Sequence, residues 1–135
     1  YGYRKTKSKT GFSSPVALQM KPTASPYLHT IVLLINDATF SAAEEFALVL
    51  AKENHVKLLG EATGGYLSDA FTYRLPNGIV ASLSNQQFFD LDNNLLEDAG
   101  VQADVVMQNT LRDLEAGKDP LIDQAIQFLQ HWDAQ

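Results

Sequence analysis

The segment from residue 28 to residue 60 constrains the fold of this chain more than any other. It consists of an apolar run, LHTIVLLI (28–35), a helix-forming run over 41–53, and a second apolar run, VKLLG (56–60). The first run lacks apolar–polar alternation, as is typical of a strand buried on both faces. The helical run carries little polar surface, so we expect a well-buried helix. Strand, helix and strand in this order predict a βαβ unit with parallel strands and a right-handed crossover.

The other segments predict shorter elements around that unit, and together they indicate a single α/β domain. Alternation of Val16, Leu18 and Met20 allows one strand near the N-terminus. The remaining predicted elements are a β-hairpin over 71–83 turning at Pro76-Asn77-Gly78, short strands at 86–91 and 100–107, a short helix at 110–116, and a C-terminal helix capped by Asp119.

Charge and proline divide the chain into two predicted segments, 1–27 and 28–135. Residues 1–21 carry five basic residues and no acid, whereas the rest of the chain carries all 16 acids and only five bases. We interpret residues 1–27 as an extended basic segment that continues from a longer chain, because the sequence starts with Tyr rather than Met. No basic motif with interleaved aromatics is present, so we expect no nucleic-acid partner.

Composition excludes several classes of protein and of site. Hydrophobic residues make up 45% and charged residues 19%, which is typical of a globular domain. No apolar run is long enough to cross a bilayer. The absence of cysteine excludes disulfides, thiolate metal sites and cysteine nucleophiles. The acidic residues at 90–98 match no calcium-loop spacing, so we expect neither a metal nor a cofactor.

Ser41, in the stretch NDATFSAAEEF (36–46), has two readings. With Glu44 three residues later it matches a capping box, in which Ser and Glu satisfy the first N–H groups of a helix. Alternatively, a serine between a central strand and a buried helix lies at the carboxyl edge of the sheet, where α/β proteins bind ligands. There the helix N-terminus and the N–H of Ala42 can stabilise an oxyanion. The spacing alone leaves both readings open.

The region around Ser41 resembles the S41 peptidases, the C-terminal processing or tail-specific protease family. Their pattern is an apolar strand, Asn, Thr-x-Ser-Ala-x-Glu, a helix, and a strand leading to Gly-Glu-x-Thr-x-Gly. The matching residues are Asn36, Thr39, Ser41, Ala42, Glu44, Gly60, Glu61, Thr63 and Gly65. The resemblance continues through LPNG (75–78), GVQAD (100–104) and GKDPLIDQAIQFL (117–129).

The resemblance implies a partial ClpP/crotonase-like spiral ββα fold and a serine endopeptidase. Ser41 would attack a peptide carbonyl of a polypeptide substrate and form an acyl-enzyme. Gly64 and Gly65 would bring backbone close to the substrate. The same resemblance implies a metal-independent reaction and an extracytoplasmic location.

No residue of this chain matches the general base that activates the serine in this family. One branch of the family has a lysine in the glycine loop, but Tyr66 occupies that place. The tricorn-like branch uses a histidine from the N-terminal half of the catalytic domain and a late glutamate. Glu97 is the best match to that glutamate and Asp98 is the competing one.

Three histidines are present, and none matches the base. They are His29 at the far end of the first strand, His55 about 20 Å from Ser41 at one helix length, and His131 on the last helix. We therefore expect the base to come from an upstream half of the catalytic domain, and this chain alone to be catalytically incomplete.

Two other functions remain open. A non-catalytic module of the same fold can bind apolar ligands or peptides, with a pocket lined by Phe71, Tyr73, Phe88 and Phe89. A crotonase-like acyl-CoA enzyme is a further alternative, which rests on fold analogy alone.

Overall fold

The computed structural model of the protein describes residues 1–132; residues 133–135, the end of the predicted 28–135 segment, lie outside the described residues. Three helices and nine strands form this part. In chain order they are β1 (Gly2–Ser8), β2 (Gly11–Phe12), β3 (Val16–Leu18), β4 (Ile31–Ile35), α1 (Ala42–Leu50), β5 (Val56–Gly60), β6 (Ala70–Arg74), β7 (Val80–Ser84), β8 (Gln86–Phe89), β9 (Val105–Val106), α2 (Leu111–Glu115) and α3 (Pro120–His131).

The predicted βαβ unit is confirmed. β4 and β5 are parallel neighbours, with Ile31 opposite Val56 and Ile35 opposite Gly60, and α1 connects them. β9 adds a third parallel strand on the other side of β5. Ser41 therefore follows the carboxyl end of β4 by only a few residues, at the edge of the sheet where the parallel strands end.

Burial of this unit is lower than its apolar sequence predicts. In β4, which is an edge strand of its sheet and packs against α3, only Ile35 is buried. α1 begins at Ala42 and ends at Leu50, so it is shorter than the predicted 41–53. It buries one side only, and Phe46 remains 55% exposed. The expectations of a doubly buried strand and of a well-buried helix are both wrong.

The N-terminal segment is part of a sheet rather than a separate arm. β1 pairs antiparallel with β2, β3 and β8, and β8 belongs to the predicted second segment. The boundary at residues 27 and 28 thus separates strands of one sheet. Two of the lysines of β1 place their ammonium groups over aromatic rings of neighbouring strands: Lys5 Nζ lies 4.7 Å from the ring centre of Phe89, and Lys7 Nζ lies 5.0 Å from that of Phe12.

The predicted hairpin and terminal helices are confirmed. β6 and β7 pair antiparallel, with Phe71 opposite Leu83. α2 is capped by Thr110 and α3 by Asp119, whose carboxylate accepts from the N–H of Ile122 at 3.1 Å. The strand predicted over 100–107 is reduced to the two residues of β9. Of the helices described, none is both long and apolar enough to span a bilayer.

The hydrophobic core joins the parallel sheet of β4, β5 and β9 to the antiparallel sheet that contains β1 and β8, and it holds the region around Ser41 together. Buried side chains of β4, β5 and α1 contact Phe88 of β8 and Leu96 of the loop that follows it. Since that loop continues to Glu97, the core fixes the helix of Ser41 and the loop of Glu97 in one rigid packing unit.

Candidate active site

A turn built on Asn36 leads from β4 to Ser41. The Asn36 side-chain oxygen accepts from the N–H of Ala38 at 3.1 Å, and the Asn36 N–H donates to Thr39 Oγ1 at 3.1 Å. The Thr39 carbonyl in turn accepts from the N–H of Gly64 at 2.9 Å. Asn favours such turns because its side chain bonds backbone two residues on. The turn therefore leads from β4 to Ser41, and its Thr39 carbonyl is hydrogen-bonded to the glycine loop.

Ser41 has a backbone conformation that is rare for any residue except glycine. Its φ is 56° and its ψ is −127°, whereas the cap residue of a helix usually has extended backbone. A positive φ of this kind costs about 1–3 kcal/mol in a non-glycine residue, and such residues cluster at functional sites. The side chain is exposed. The serine thus lies on a tight, strained bend at the N-terminus of α1.

The capping box that Ser41 and Glu44 form is uneven. The Glu44 carboxylate accepts from the Ser41 N–H at 3.0 Å. The Ser41 side chain also meets the Glu44 N–H, so both halves of the box are present, yet this second contact falls short of a cap hydrogen bond. The Glu44 N–H donates instead to the Ser41 carbonyl at 2.9 Å. The hydroxyl is therefore left available for another role.

Glu44 does far more than cap the helix. Its side chain is fully buried and accepts from four donors. They are the Ser41 N–H at 3.0 Å, the Thr63 hydroxyl at 2.6 Å, the Gly65 N–H at 2.7 Å and the Tyr66 N–H at 2.8 Å. Three of these donors are about twenty residues away in the chain, so the spacing of the capping box gave no sign of them. A glutamate three residues after the serine was the only local signal.

The glycine loop after β5 is shaped by close backbone contacts. The N–H of Gly64 donates to Thr39 and that of Gly65 to Glu44, so both groups are used within the protein. Gly65 has φ +73°, and a Cβ there would lie 2.7 Å from backbone atoms of Asp98. Only glycine fits such a contact. Substrate binding by Gly64 and Gly65 stays a prediction, and their N–H groups are not free for it.

Thr63 and Gly65 connect this loop to the segment of Glu97. The buried Thr63 hydroxyl accepts from the Val101 N–H at 2.7 Å, and the Gly65 carbonyl accepts from the Asp98 N–H at 3.1 Å. The site is therefore a set of three joined pieces: the N-terminus of α1, the glycine loop, and the segment 97–101.

Glu97 is a partly buried carboxyl group. Its Oε1 is buried and has no hydrogen-bond partner within residues 1–132. Burial, with the nearby negative charges of Glu44 and Asp98, raises the pKa of the Glu97 carboxyl from its ordinary 4.5 to about 7. Asp98, in contrast, is exposed. Of the two candidate acids, Glu97 is therefore the one that its surroundings bury and perturb, and the role of either as the catalytic acid stays a prediction.

Two of the three imidazoles and the amine of Lys52 have partners other than Ser41. His29 contacts the Tyr27 ring edge-on, and His131 Nδ1 lies 2.9 Å from the Gln127 carbonyl. Lys52 pairs with Asp92. In the part of the chain that the structure describes, none of them forms a hydrogen bond with the Ser41 hydroxyl.

The four aromatic residues considered for an apolar ligand pocket do not line one accessible pocket. Phe88 is packed in the core and is 2% exposed, so a ligand cannot reach it. Phe71 and Tyr73 are exposed on the hairpin, and Phe89 lies under Lys5. Nothing in this arrangement favours an apolar ligand site.

Comparison with known proteins gives one family match. The sequence profile described as peptidase family S41 matches residues 2–107. No curated protein sequence matches the chain significantly.

Several solved structures share this fold. A candidate peptidase from Parabacteroides merdae has a TM-score of 0.86 and 28% identity, over 95% of this chain and 42% of that one. The tricorn protease has a TM-score of 0.64 and 30% identity, over 74% of this chain and 10% of that one. Mature CPAF, with a TM-score of 0.75 and 22% identity over 92% of this chain and 26% of its own, shares the fold. The chain spans less than half the length of each of these proteins.

Proposed function

Because the chain belongs to peptidase family S41, we propose that it carries the nucleophile of a serine endopeptidase, Ser41. The observation that carries the proposal is the backbone conformation of Ser41, together with the exposure and hydrogen bonding of its side chain. A serine that only caps a helix has extended backbone and uses its oxygen for an N–H group of the first turn. Ser41 has strained backbone, an exposed side chain and a hydroxyl without a cap hydrogen bond. These features suit a nucleophile held ready at a sharp bend.

In the proposed reaction the Ser41 oxygen attacks the carbonyl carbon of a peptide bond. Its proton passes to a general base, and the tetrahedral intermediate places its oxyanion towards the N–H of Ala42. This is the first N–H of α1, which has no acceptor within the helix and lies at the positive end of the helix dipole. The base then protonates the leaving amine, the C–N bond breaks, and water later hydrolyses the acyl-enzyme.

We assign to Glu97 the role of orienting that base and balancing its positive charge. Its buried Oε1 lacks a partner within residues 1–132. A buried acceptor normally has a donor, and the imidazole N–H of the base would supply one. A cation at this place would also lower the raised pKa of Glu97. We infer that the base, and a second oxyanion donor, lie outside residues 1–135, in an upstream half of the catalytic domain. The greater length of the solved relatives supports this division.

The proposal extends to the substrate class. The resemblance to tail-specific proteases implies polypeptide substrates that are selected by their C-terminus. Matched peptides with a free or an amidated C-terminus test this part separately. A tail-specific enzyme cleaves the free-acid peptide faster.

Covalent labelling of the full-length protein tests the nucleophile. The protein is treated with a fluorophosphonate and digested, and the adduct is located by mass spectrometry. We expect an adduct on Ser41 that is absent in Ser41→Ala and retained in Ser82→Ala, which removes an exposed serine of the hairpin. A folded protein without an adduct on Ser41 would return that residue to the role of helix cap.

A further inference from the structure

Glu44 is a buried carboxylate without a cationic partner among the described residues. Four donors take the place of a counter-ion. Burial of a carboxylate costs much free energy unless its oxygens accept hydrogen bonds from the protein. Hydrogen bonds to a charged acceptor are about twice as strong as those between neutral groups. Full burial and four short contacts therefore indicate that the site is built around this side chain.

The two carboxylate oxygens divide their donors between pieces of the site. Oε2 accepts from Ser41 at 3.0 Å and from Tyr66 at 2.8 Å, so one atom joins the nucleophile to the glycine loop. Oε1 accepts from Thr63 at 2.6 Å and from Gly65 at 2.7 Å. Through Thr63 and Gly65, the same carboxylate reaches the segment of Glu97 in one further step.

The strained backbone of Ser41 requires something to hold it. The Ser41 N–H is shared between Glu44 Oε2 and the Tyr66 carbonyl, the latter at 3.2 Å. Tyr66 itself is held by Glu44 through its own N–H. Both acceptors of the Ser41 N–H thus depend on the Glu44 carboxylate. Backbone strain persists only where the surroundings hold the conformation in place, and here Glu44 provides that hold.

We propose that Glu44 is a positioning residue that holds Ser41 in its reactive backbone conformation and locks the glycine loop, and through it Glu97, against the nucleophile. The proposal rests on the proposed function of Ser41. Glu44 acts through Ser41 and touches neither the substrate nor the reacting atoms.

The chemistry of the four donors makes two substitutions informative. In Glu44→Gln one oxygen is replaced by an NH₂ group, which faces either the N–H groups of Ser41 and Tyr66 or the N–H of Gly65 and the Thr63 hydroxyl. Because a backbone N–H cannot accept, at least one hydrogen bond is lost and at least one repulsive donor–donor contact appears in either orientation. Glu44→Asp retains the charge and both oxygens but is one methylene shorter, so it bonds only part of the set. Glu53→Gln makes the same chemical change at an exposed position after α1 and serves as the matched control.

The test uses full-length protein and measures two properties of each variant. The first is the fluorophosphonate labelling of Ser41, separated into the saturable binding constant, the maximal rate and the fraction labelled at the end point. The second is hydrogen–deuterium exchange of peptides that cover residues 36–46 and 60–70. A purely structural role would lower the labelled fraction by unfolding, whereas a positioning role lowers the maximal rate of the folded fraction.

We expect Glu44→Gln to lower the maximal rate about 100-fold, the scale of a misplaced reacting group, with the binding constant unchanged and exchange faster in both peptides. Glu44→Asp should recover part of the rate, and Glu53→Gln should match the wild type. A Glu44→Gln protein with wild-type maximal rate would overturn the proposal. If Glu44→Gln does not fold, a Glu44→Asp protein that matches the wild type in rate and exchange would overturn it as well.

The exchange measurement separates this inference from the proposed function. If wild-type protein forms no adduct at Ser41, the peptidase proposal fails by itself. The holding role then depends on exchange alone: faster exchange in both peptides of Glu44→Gln supports it, and unchanged exchange overturns it.

Discussion

Thr63 and Glu44 form a buried hydrogen bond of 2.6 Å, although 19 residues separate them in the chain. The same Thr63 hydroxyl accepts from the Val101 N–H at 2.7 Å. One hydroxyl group therefore links the helix of the nucleophile to the segment of the late acid. Because this link joins both ends of the site, removal of the Thr63 hydroxyl should lower the free energy of unfolding.

Thr63→Val tests that link. Valine keeps the shape of threonine but loses the hydroxyl, so Glu44 loses one donor and the Val101 N–H is left without an acceptor. An unmade hydrogen bond to a charged group together with an orphaned N–H costs about 2–4 kcal/mol. Urea unfolding of the full-length protein should show this loss. Thr72→Val, on the exposed strand β6, should change the free energy of unfolding by about 0.5 kcal/mol or less. Equal losses in the two variants would mean that the buried hydroxyl carries no such link.

Gly65→Ala should be far more damaging than Gly78→Ala. Both glycines have positive φ, +73° and +84°, so both alanines pay the same backbone strain of about 1–2 kcal/mol. A Cβ at Gly65 would also lie 2.7 Å from the backbone of Asp98, whereas at Gly78 it meets nothing within 4 Å. Thermal unfolding measures the difference, and we expect about 2 kcal/mol or more beyond the strain. Similar melting temperatures for both variants would mean that the segment at Asp98 moves aside freely.

The elements that could be predicted from the sequence are those whose signals are local. Alternation and the Pro-Asn-Gly turn gave the hairpin, and Asp119 with Pro120 gave the start of α3. β1 was missed because a strand rich in Lys and Arg has no apolar alternation. What makes it a strand is its pairing with three partner strands, together with the contacts of the Lys5 and Lys7 ammonium groups with aromatic rings.

The candidate site shows the same division between local and long-range signals. Ser41 and the N–H of Ala42 could be located from one short motif, since the motif contains its own strand end and helix start. The role of Glu44 could not, because its donors come from a loop about twenty residues on and its burial depends on the packing of α1. The local spacing indicated only that Glu44 caps a helix, whereas its tertiary contacts place Glu44 at the centre of the candidate site.

Glu97 should make stability depend on pH. The pKa of its carboxyl is about 7 in the folded chain, against an ordinary value of 4.5. Between these values the folded state binds more protons than the unfolded state, so the free energy of unfolding falls as pH rises from about 4.5 to about 7. Solvent screening at a partly exposed carboxyl reduces the effect, and we expect about 1–2 kcal/mol.

The comparison that isolates this effect is Glu97→Gln in the 135-residue chain. The variant lacks the titration, so it should equal the wild type near pH 4 and be more stable above pH 7 by about that same 1–2 kcal/mol. Glu53→Gln, at an exposed position, should show no such trend. A constant difference between Glu97→Gln and the wild type across this pH range would contradict a raised pKa.

Ser41→Gly should separate stability from reactivity at the nucleophile. With φ at 56° and ψ at −127°, Ser41 holds a conformation that glycine adopts without steric cost. Replacement of a strained non-glycine residue should relieve about 1–3 kcal/mol, less the greater entropy that glycine has in the unfolded chain. We therefore expect Ser41→Gly to be more stable than Ser41→Ala by about 1 kcal/mol in urea unfolding, while neither variant is labelled at position 41. Alanine is the proper reference because it removes the hydroxyl but retains the strain. If alanine proves as stable as glycine, the bend carries no strain, and the argument that Ser41 is held against its preference loses its basis.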